Sequence, residues 1–203
     1  QPLTGAVKRL IAASFLMGAA STALWSFGGQ LVAAQMGWGP SGTGLLWTCI
    51  GAGGIAGAWA GTLVGRFGID RVHWMFLGLM TLGILATGSG MGAAPALIGG
   101  AVFGAAYVML PGVYLVWSTG ALPDWPATGL MIGFLTIAVG QPAGAPLFGL
   151  LLERSGPEAA VICFAAVTAL AGLFRAGRLK ARANRAHAQS CSAMLASSMT
   201  DQT

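Results

Sequence analysis

The chain has 203 residues, of which 56% are hydrophobic and only 7% are charged. A soluble domain carries about 25% charged residues, so this composition excludes a water-soluble globular protein. The formal net charge of +5 would suggest nucleic-acid binding in a soluble protein, but in a membrane protein basic residues in short loops set the topology. We therefore predict an integral membrane protein whose partner is the lipid bilayer and not nucleic acid.

Six apolar segments approach the roughly 20 residues that a helix needs to cross a bilayer. We predict a cytoplasmic lead-in at 1–9, a six-span transmembrane domain at 10–174 and a basic, disordered cytoplasmic tail at 175–203. The fold class is all-α. The predicted spans are 10–34, 43–65, 72–91, 94–118, 128–152 and 158–174.

The basic residues predict the orientation. If Lys8 and Arg9 are cytoplasmic, alternating loops place nine of the ten basic residues on that side and leave only Arg154 outside. Both ends of the chain are then cytoplasmic, in the inner membrane of a bacterial cell. Because the sequence begins at Gln1 without Met, we expect a piece of a longer chain.

Glycines are spaced for close helix packing. Gly53, Gly57 and Gly61 follow an i, i+4, i+8 pattern, which places them on one face of the second span. We predict helix packing at Gly53, Gly57, Gly100, Gly104, Gly140 and Gly144. Trp74 and Trp117 fall near span ends and are predicted interface anchors.

A short motif occurs twice. Gly61-x-Leu-x-x-Arg66-x-Gly68 recurs 88 residues later as Gly149-x-Leu-x-x-Arg154-x-Gly156. The first copy ends the second span and the second copy ends the fifth, on opposite membrane faces. This favours two three-helix repeats of opposite orientation, an arrangement typical of transporters.

Polar and aromatic residues near the middle of the spans are the candidates for substrate contact. They are Trp25, Tyr107, Tyr114 and Gln141, and transporter sites lie near the bilayer midplane. Pro142 and Pro146 follow Gln141 and are expected to loosen its helix. Helix–helix hydrogen bonding explains each of these residues equally well. No span has a charged residue at its middle, so a buried carboxylate relay is not expected in this chain.

The sequence gives little support for a catalytic site or a metal site. Cys49, Cys163 and Cys191 are scattered, so no metal site, disulfide or cofactor is predicted. Gly39-Pro-Ser41-Gly42 is similar to the GxSG motif of rhomboid-type intramembrane proteases, which needs a histidine within reach. The histidines are His73 at a span edge and His187 in the tail, so we do not predict an enzyme.

The pattern resembles the major facilitator superfamily of secondary transporters. Gly44-Leu-Leu-Trp47, the glycine face and the loop Gly61, Gly65, Arg66, Gly68, Asp70 and Arg71 resemble the second span and following loop of one half. The stretch from Gly140 to Gly156 resembles a fifth span. The family usually has Asp where Gly65 stands, so its inter-domain charge network is in doubt here. A full member has about twelve spans.

This resemblance implies the C-terminal half of a transporter that moves a small molecule by alternating access. The first, second, fourth and fifth spans would line the cavity, and the partner would be an N-terminal six-helix half or a second copy. Few polar side chains line the spans, which favours an apolar or weakly polar substrate. A non-transporting six-span scaffold or fragment, or a stand-alone homodimeric module, is the alternative, and an intramembrane protease is the weakest one.

Overall fold

A computed structural model describes residues 4–177, which form helices and no strand. Five helical stretches are long and apolar enough to cross a membrane, in agreement with the predicted all-α membrane protein. The predicted tail lies almost wholly outside the described residues. The helices are α1 (Gly5–Trp25), α2 (Gly28–Met36), α3 (Pro40–Gly54), a 3₁₀ segment (Ile55–Trp59), α4 (Ala60–Phe67), α5 (Ile69–Gly88), α6 (Ala93–Ala121) and α7 (Pro126–Ala171).

Two glycines turn the chain sharply between helices. Gly156 interrupts the 46-residue α7 with φ 82° and ψ 171°. Gly68 separates α4 from α5 with nearly the same dihedrals, φ 87° and ψ 157°. Only glycine adopts this backbone region without strain. Each position therefore ends one crossing of the bundle and starts the next.

Contacts at the two ends of the bundle fix the direction of each crossing. At one end, here called the Gly88 end, Gln35 Nε2 donates a hydrogen bond of 2.6 Å to the Gly88 carbonyl, and Glu158 borders the same groove as Gly88. At the opposite Asp70 end, the Asp70 carboxylate accepts N–H bonds from Ala176 at 2.7 Å and Gly177 at 3.3 Å. The chain therefore passes between the ends six times.

The core lies around α1 and α6. In their most apolar windows 67% and 50% of residues are buried, against 17% for Pro40–Phe67 and 22% for α7. The largest fully buried side chains include Trp117, Tyr114, Phe103 and Phe148. α1 packs along α7, while α6 packs along α3 and α5.

Glycine lets these helices approach backbone to backbone. A Cβ added at several glycines would collide with a carbonyl of the facing helix. All six predicted packing glycines lie against a neighbouring helix, whereas Gly61 meets nothing within 4 Å. The tightest carbonyl contacts are Gly18–Ile137, Gly140–Phe15 and Gly144–Ala19 between α1 and α7, and Gly104–Ile50 and Gly53–Ala101 between α3 and α6.

The first two spans are less regular than predicted. The predicted span 10–34 is broken between Trp25 and Gly28, and the predicted span 43–65 contains the 3₁₀ segment Ile55–Trp59. Both irregularities lie next to glycine pairs, which favour helix weakly. The predicted fifth and sixth spans form one α7 divided only at Gly156.

Candidate functional site

Three of the four predicted site residues come together. Gln141 Nε2 donates hydrogen bonds to the Tyr107 hydroxyl at 2.8 Å and to Ser21 Oγ at 3.4 Å. The Trp25 ring stacks on Tyr107, with centroids 4.9 Å apart and planes 18° from parallel. Residues Ser21, Trp25, Tyr107 and Gln141 therefore form one unit, the Gln141 cluster, built from α1, α6 and α7.

The Gln141 cluster lies midway between the two ends of the bundle. Tyr107 is at the centre of the 29-residue α6. Gln141 is close to the middle of the part of α7 that precedes Gly156. Ser21 lies near the middle of the crossing made by α1 and α2. Three separate helices thus bring polar atoms to the same depth.

The cluster has a buried floor and an open aromatic rim. Ser21 is fully buried, whereas Trp25 is 42% exposed and Trp47 is 36% exposed. Trp47 meets Trp25 edge to face, with centroids 5.4 Å apart, and Phe103 stacks against Tyr107 at 5.8 Å. Neither Trp47 nor Phe103 was among the predicted site residues, since nothing in their local pattern links them to the midplane residues.

The exposed side of the cluster offers both kinds of hydrogen-bonding atom. Gln141 uses its amide nitrogen for both bonds, which leaves its carbonyl oxygen as an acceptor. Tyr107 accepts through its oxygen, so its own proton remains available to donate. Tyr107 stacks against Trp25 and Phe103, and the partly exposed Trp25 ring is the aromatic surface that the cluster offers to a flat molecule.

The backbone beside the cluster is interrupted. α1 ends at Trp25, and the N–H groups of Ser26 and Phe27 both turn back to the Thr22 carbonyl, at 3.0 and 3.3 Å. Interrupted helices at mid-depth are typical of transporter sites. α7, by contrast, keeps helical dihedrals through Pro142 and Pro146. Both prolines lie on the exposed face, and each still removes one backbone N–H donor from the helix, so the expected loosening stays a prediction.

Tyr114 lies apart from the other three predicted residues. It is 1% exposed, and it belongs with His73 and Trp117 to a second unit, the His73 cluster. His73 Nε2 is 3.2 Å from the Tyr114 hydroxyl, which donates to the Ala13 carbonyl at 3.4 Å. The structure thus places Tyr114 in the core, away from the Gln141 cluster.

His73 and Trp117 also differ from expectation. His73, expected at a span edge, is fully buried because α5 begins one turn earlier at Ile69 and Tyr114 supplies a partner. Trp117, expected as an interface anchor, is fully buried beside it, with ring centroids 5.7 Å apart. His73 Nδ1 and Trp117 Nε1 are buried and have no hydrogen-bond partner among residues 4–177.

The predicted loop motif forms the corner between α4 and α5. A Cβ added at Gly61 or Gly65 would meet no atom within 4 Å. The Arg66 guanidinium lies 5.4 Å from the centre of the Phe67 ring. Gly68 makes the turn, and Arg71 is exposed. Asp70 accepts the backbone N–H groups of Ala176 and Gly177, which follow α7, so this carboxylate ties the third crossing to the segment after the sixth.

The residues considered for enzyme chemistry are separated. Ser41 is exposed in the first turn of α3, toward the Gly88 end, while His73 lies one turn from Asp70 at the opposite end. Within the part of the chain that the structure describes, no three His, Cys, Asp or Glu side chains gather as a metal site. No protein-family model, curated protein or solved structure matches this chain.

Proposed function

We propose that this chain is a six-span half of a secondary transporter for a small molecule, and that the Gln141 cluster contacts the substrate. The observation that carries the proposal is the convergence of three helices at mid-depth. They bring an amide, a phenol and an indole to one half-open surface. Transporter sites lie at this depth and beside interrupted helices.

The chemistry of the cluster defines the substrate class. None of its four residues carries a charge, so an ionic substrate would find no counter-charge there. The stacked Trp25 and Tyr107 rings suit a flat apolar group. The Tyr107 proton and the Gln141 carbonyl oxygen suit one acceptor and one donor on that group. We therefore propose a small, neutral, weakly polar ring compound as the substrate.

We further propose that the chain consists of two inverted three-helix repeats. Matching close contacts support this. Gly18 faces the Ile137 carbonyl, and Gly104 faces the Ile50 carbonyl. The two glycines are 86 residues apart and the two isoleucines 87 apart. A repeat of about that length would generate both contacts from one ancestral helix pair.

The chain corners support the same repeat. Gly68 and Gly156 are 88 residues apart and share nearly the same dihedrals, and each precedes a new crossing. The Asp70 end also carries Lys8, Arg9 and Arg66, so we place it in the cytoplasm of a bacterial cell. A complete transport path would need an N-terminal six-helix half or a second copy of the chain.

Cysteine accessibility tests whether the Gln141 cluster faces water. In a background with Cys49, Cys163 and Cys191 replaced by Ser, the Gln141→Cys variant is treated with a charged, membrane-impermeant thiol reagent. We expect Gln141→Cys to react. The matched control is Val139→Cys, since Val139 is 51% exposed two residues away on the other face of α7. Equal labelling at the two positions would contradict an aqueous cavity.

Transport itself is tested with the chain in proteoliposomes, by counterflow of a panel of neutral ring compounds. Gln141→Ala should lower counterflow of the responsive compound at least tenfold, since a polar contact is lost at the site. The control Gln30→Ala removes an exposed glutamine from α2 and should leave the rate unchanged. Equal counterflow by the Gln141→Ala variant and the parent chain would contradict the role assigned to the Gln141 cluster.

A further inference from the structure

We propose that the seam between α5 and the last part of α7 binds an anionic phospholipid, with an acyl chain in an apolar groove and its phosphate at Arg175. This proposal requires only that the helices lie in a membrane, and not that the chain transports anything. It therefore stands or falls separately from the Gln141 cluster.

The groove opens outward near the Asp70 end. It has a volume of about 330 Å³ and runs from Trp74 to Leu82 on α5, against Ala169 and Gly172 at the end of α7. Gly78 lies at its centre, and a Cβ there would meet nothing within 4 Å. Small side chains on both helices thus leave a channel wide enough for a slender hydrocarbon chain.

The length of the groove matches one leaflet. Trp74 and Leu82 are eight residues apart, a rise of about 12 Å along α5. One leaflet of a bilayer has an apolar depth of about 15 Å. A chain that enters at Trp74 would therefore reach almost to the membrane centre.

The rim of the groove supplies the headgroup contact. The Arg175 guanidinium lies 5.2 Å from the Trp74 ring, and both side chains are exposed. Arginine on an aromatic ring at the interface presents its N–H groups to phosphate oxygens. Basic pockets between spans on the cytoplasmic side suit anionic headgroups.

The Asp70 carboxylate holds this rim in place. Its bonds to the N–H groups of Ala176 and Gly177 fix the backbone that follows Arg175 beside α5. These two N–H bonds engage both oxygens of the carboxylate. The next residue, Arg71, is exposed, so the Asp70 end of the bundle is basic.

A second groove on the same seam has the opposite charge at its rim. It holds about 390 Å³ between α5 and α7 at the Gly88 end, and Leu82 borders both grooves. Glu158 lines this second groove. A carboxylate there repels a phosphate, so the anionic lipid should choose only the Arg175 groove.

Tryptophan quenching by brominated lipids tests the proposal on the full chain in nanodiscs. The probes are phosphatidylglycerol and phosphatidylcholine with brominated acyl chains, and subtraction of the Trp74→Phe spectrum isolates Trp74. We expect phosphatidylglycerol to be preferred about fivefold, the effect of one arginine near the surface. Arg175→Gln should abolish this preference, while Arg154→Gln at the other end should keep it. A preference that survives Arg175→Gln overturns the proposal.

A groove-filling variant gives a second readout. Gly78→Leu points into open space, so the chain should fold normally, as its thermal unfolding will show. We expect it to reduce the quenching of Trp74 by both lipids. Unchanged quenching would mean that no acyl chain uses the groove. A halved particle mass in Gly78→Leu would show that a second copy fills the seam, which also overturns the proposal.

Discussion

The Gln141 cluster and the His73 cluster use similar residues in opposite ways. Tyr107 and Tyr114 are seven residues apart on α6, about two turns, and each bonds a polar side chain from another helix. Tyr107 lies beside Trp25, which is 42% exposed, whereas Tyr114 and His73 are at most 1% exposed. Each cluster also includes a tryptophan.

If the Gln141 cluster binds substrate as we propose, burial and not residue type separates a packing role from a binding role. In the His73 cluster two nitrogen atoms are buried without partners among the described residues, which costs stability. In the Gln141 cluster the Trp25 and Trp47 rings are partly exposed. Variants in the sealed cluster should therefore affect folding, and variants in the open cluster should affect transport.

The largest contrast is expected between the two tryptophans. Trp117→Ala should destabilise the protein by about 3–5 kcal/mol, because it leaves a large cavity in the core. Trp25→Ala should cost less than about 1.5 kcal/mol, because its ring is already half solvated or lipid-exposed. Reversible unfolding in mixed micelles measures both. Equal losses would remove the distinction between the clusters.

The two tyrosines provide a finer comparison. Tyr114→Phe should cost about 1–2 kcal/mol, because it leaves His73 Nε2 without its partner in the core. Tyr107→Phe should cost under about 1 kcal/mol, since Gln141 can turn to the open rim, but it should slow counterflow severalfold. Unfolding and counterflow on the same preparations give the two numbers. A stability loss at Tyr107 above that at Tyr114 would reverse the assignment.

Double-mutant cycles test the hydrogen bonds directly. We expect a coupling of about 1 kcal/mol between His73→Phe and Tyr114→Phe. Bonds between membrane helices average about 0.6 kcal/mol, and a sealed one should exceed that average. The matched cycle of Gln141→Leu and Tyr107→Phe should give about 0.5 kcal/mol or less. The idea fails if the open pair is the more strongly coupled.

The smallest effect is expected at the unpartnered indole nitrogen. Trp117→Phe keeps an aromatic ring in the core and removes a buried N–H that has no partner among the described residues. The lost packing and the relieved desolvation should offset each other to within about 1 kcal/mol. A loss as large as that of Trp117→Ala would show that the nitrogen is hydrogen-bonded after all, for example to a buried water.

The long apolar helices were predictable from sequence, because hydrophobic length reports them directly. Counting inward from the span ends brought Trp25, Tyr107 and Gln141 to one depth. Counting along the sequence could not separate Tyr114 from these residues. Tyr107 and Tyr114 lie on the same face of α6, but that face contacts different helices along its length. His73 was missed for the same reason, since its partner is 41 residues away in the chain.

The backbone breaks were less predictable than the spans. Glycine pairs occur at several places in this chain, and only the packing around them decides which pair interrupts a helix. The break after Trp25 lies beside the half-open cluster, whereas Gly99 and Gly100 remain inside α6 because α3 and α5 press against them. Helix propensity predicts the conformation poorly where contacts with neighbouring helices determine it.

The corner at Gly156 decides how the longest helix of the chain fits a bilayer. A straight helix of 46 residues would be about 69 Å long, more than twice the apolar thickness of a bilayer. A Cβ at Gly156 would strain its backbone by about 1–3 kcal/mol, and Pro157 disfavours a continuous helix at the same point. Glycine and proline together thus set the place where α7 folds into two membrane-length pieces.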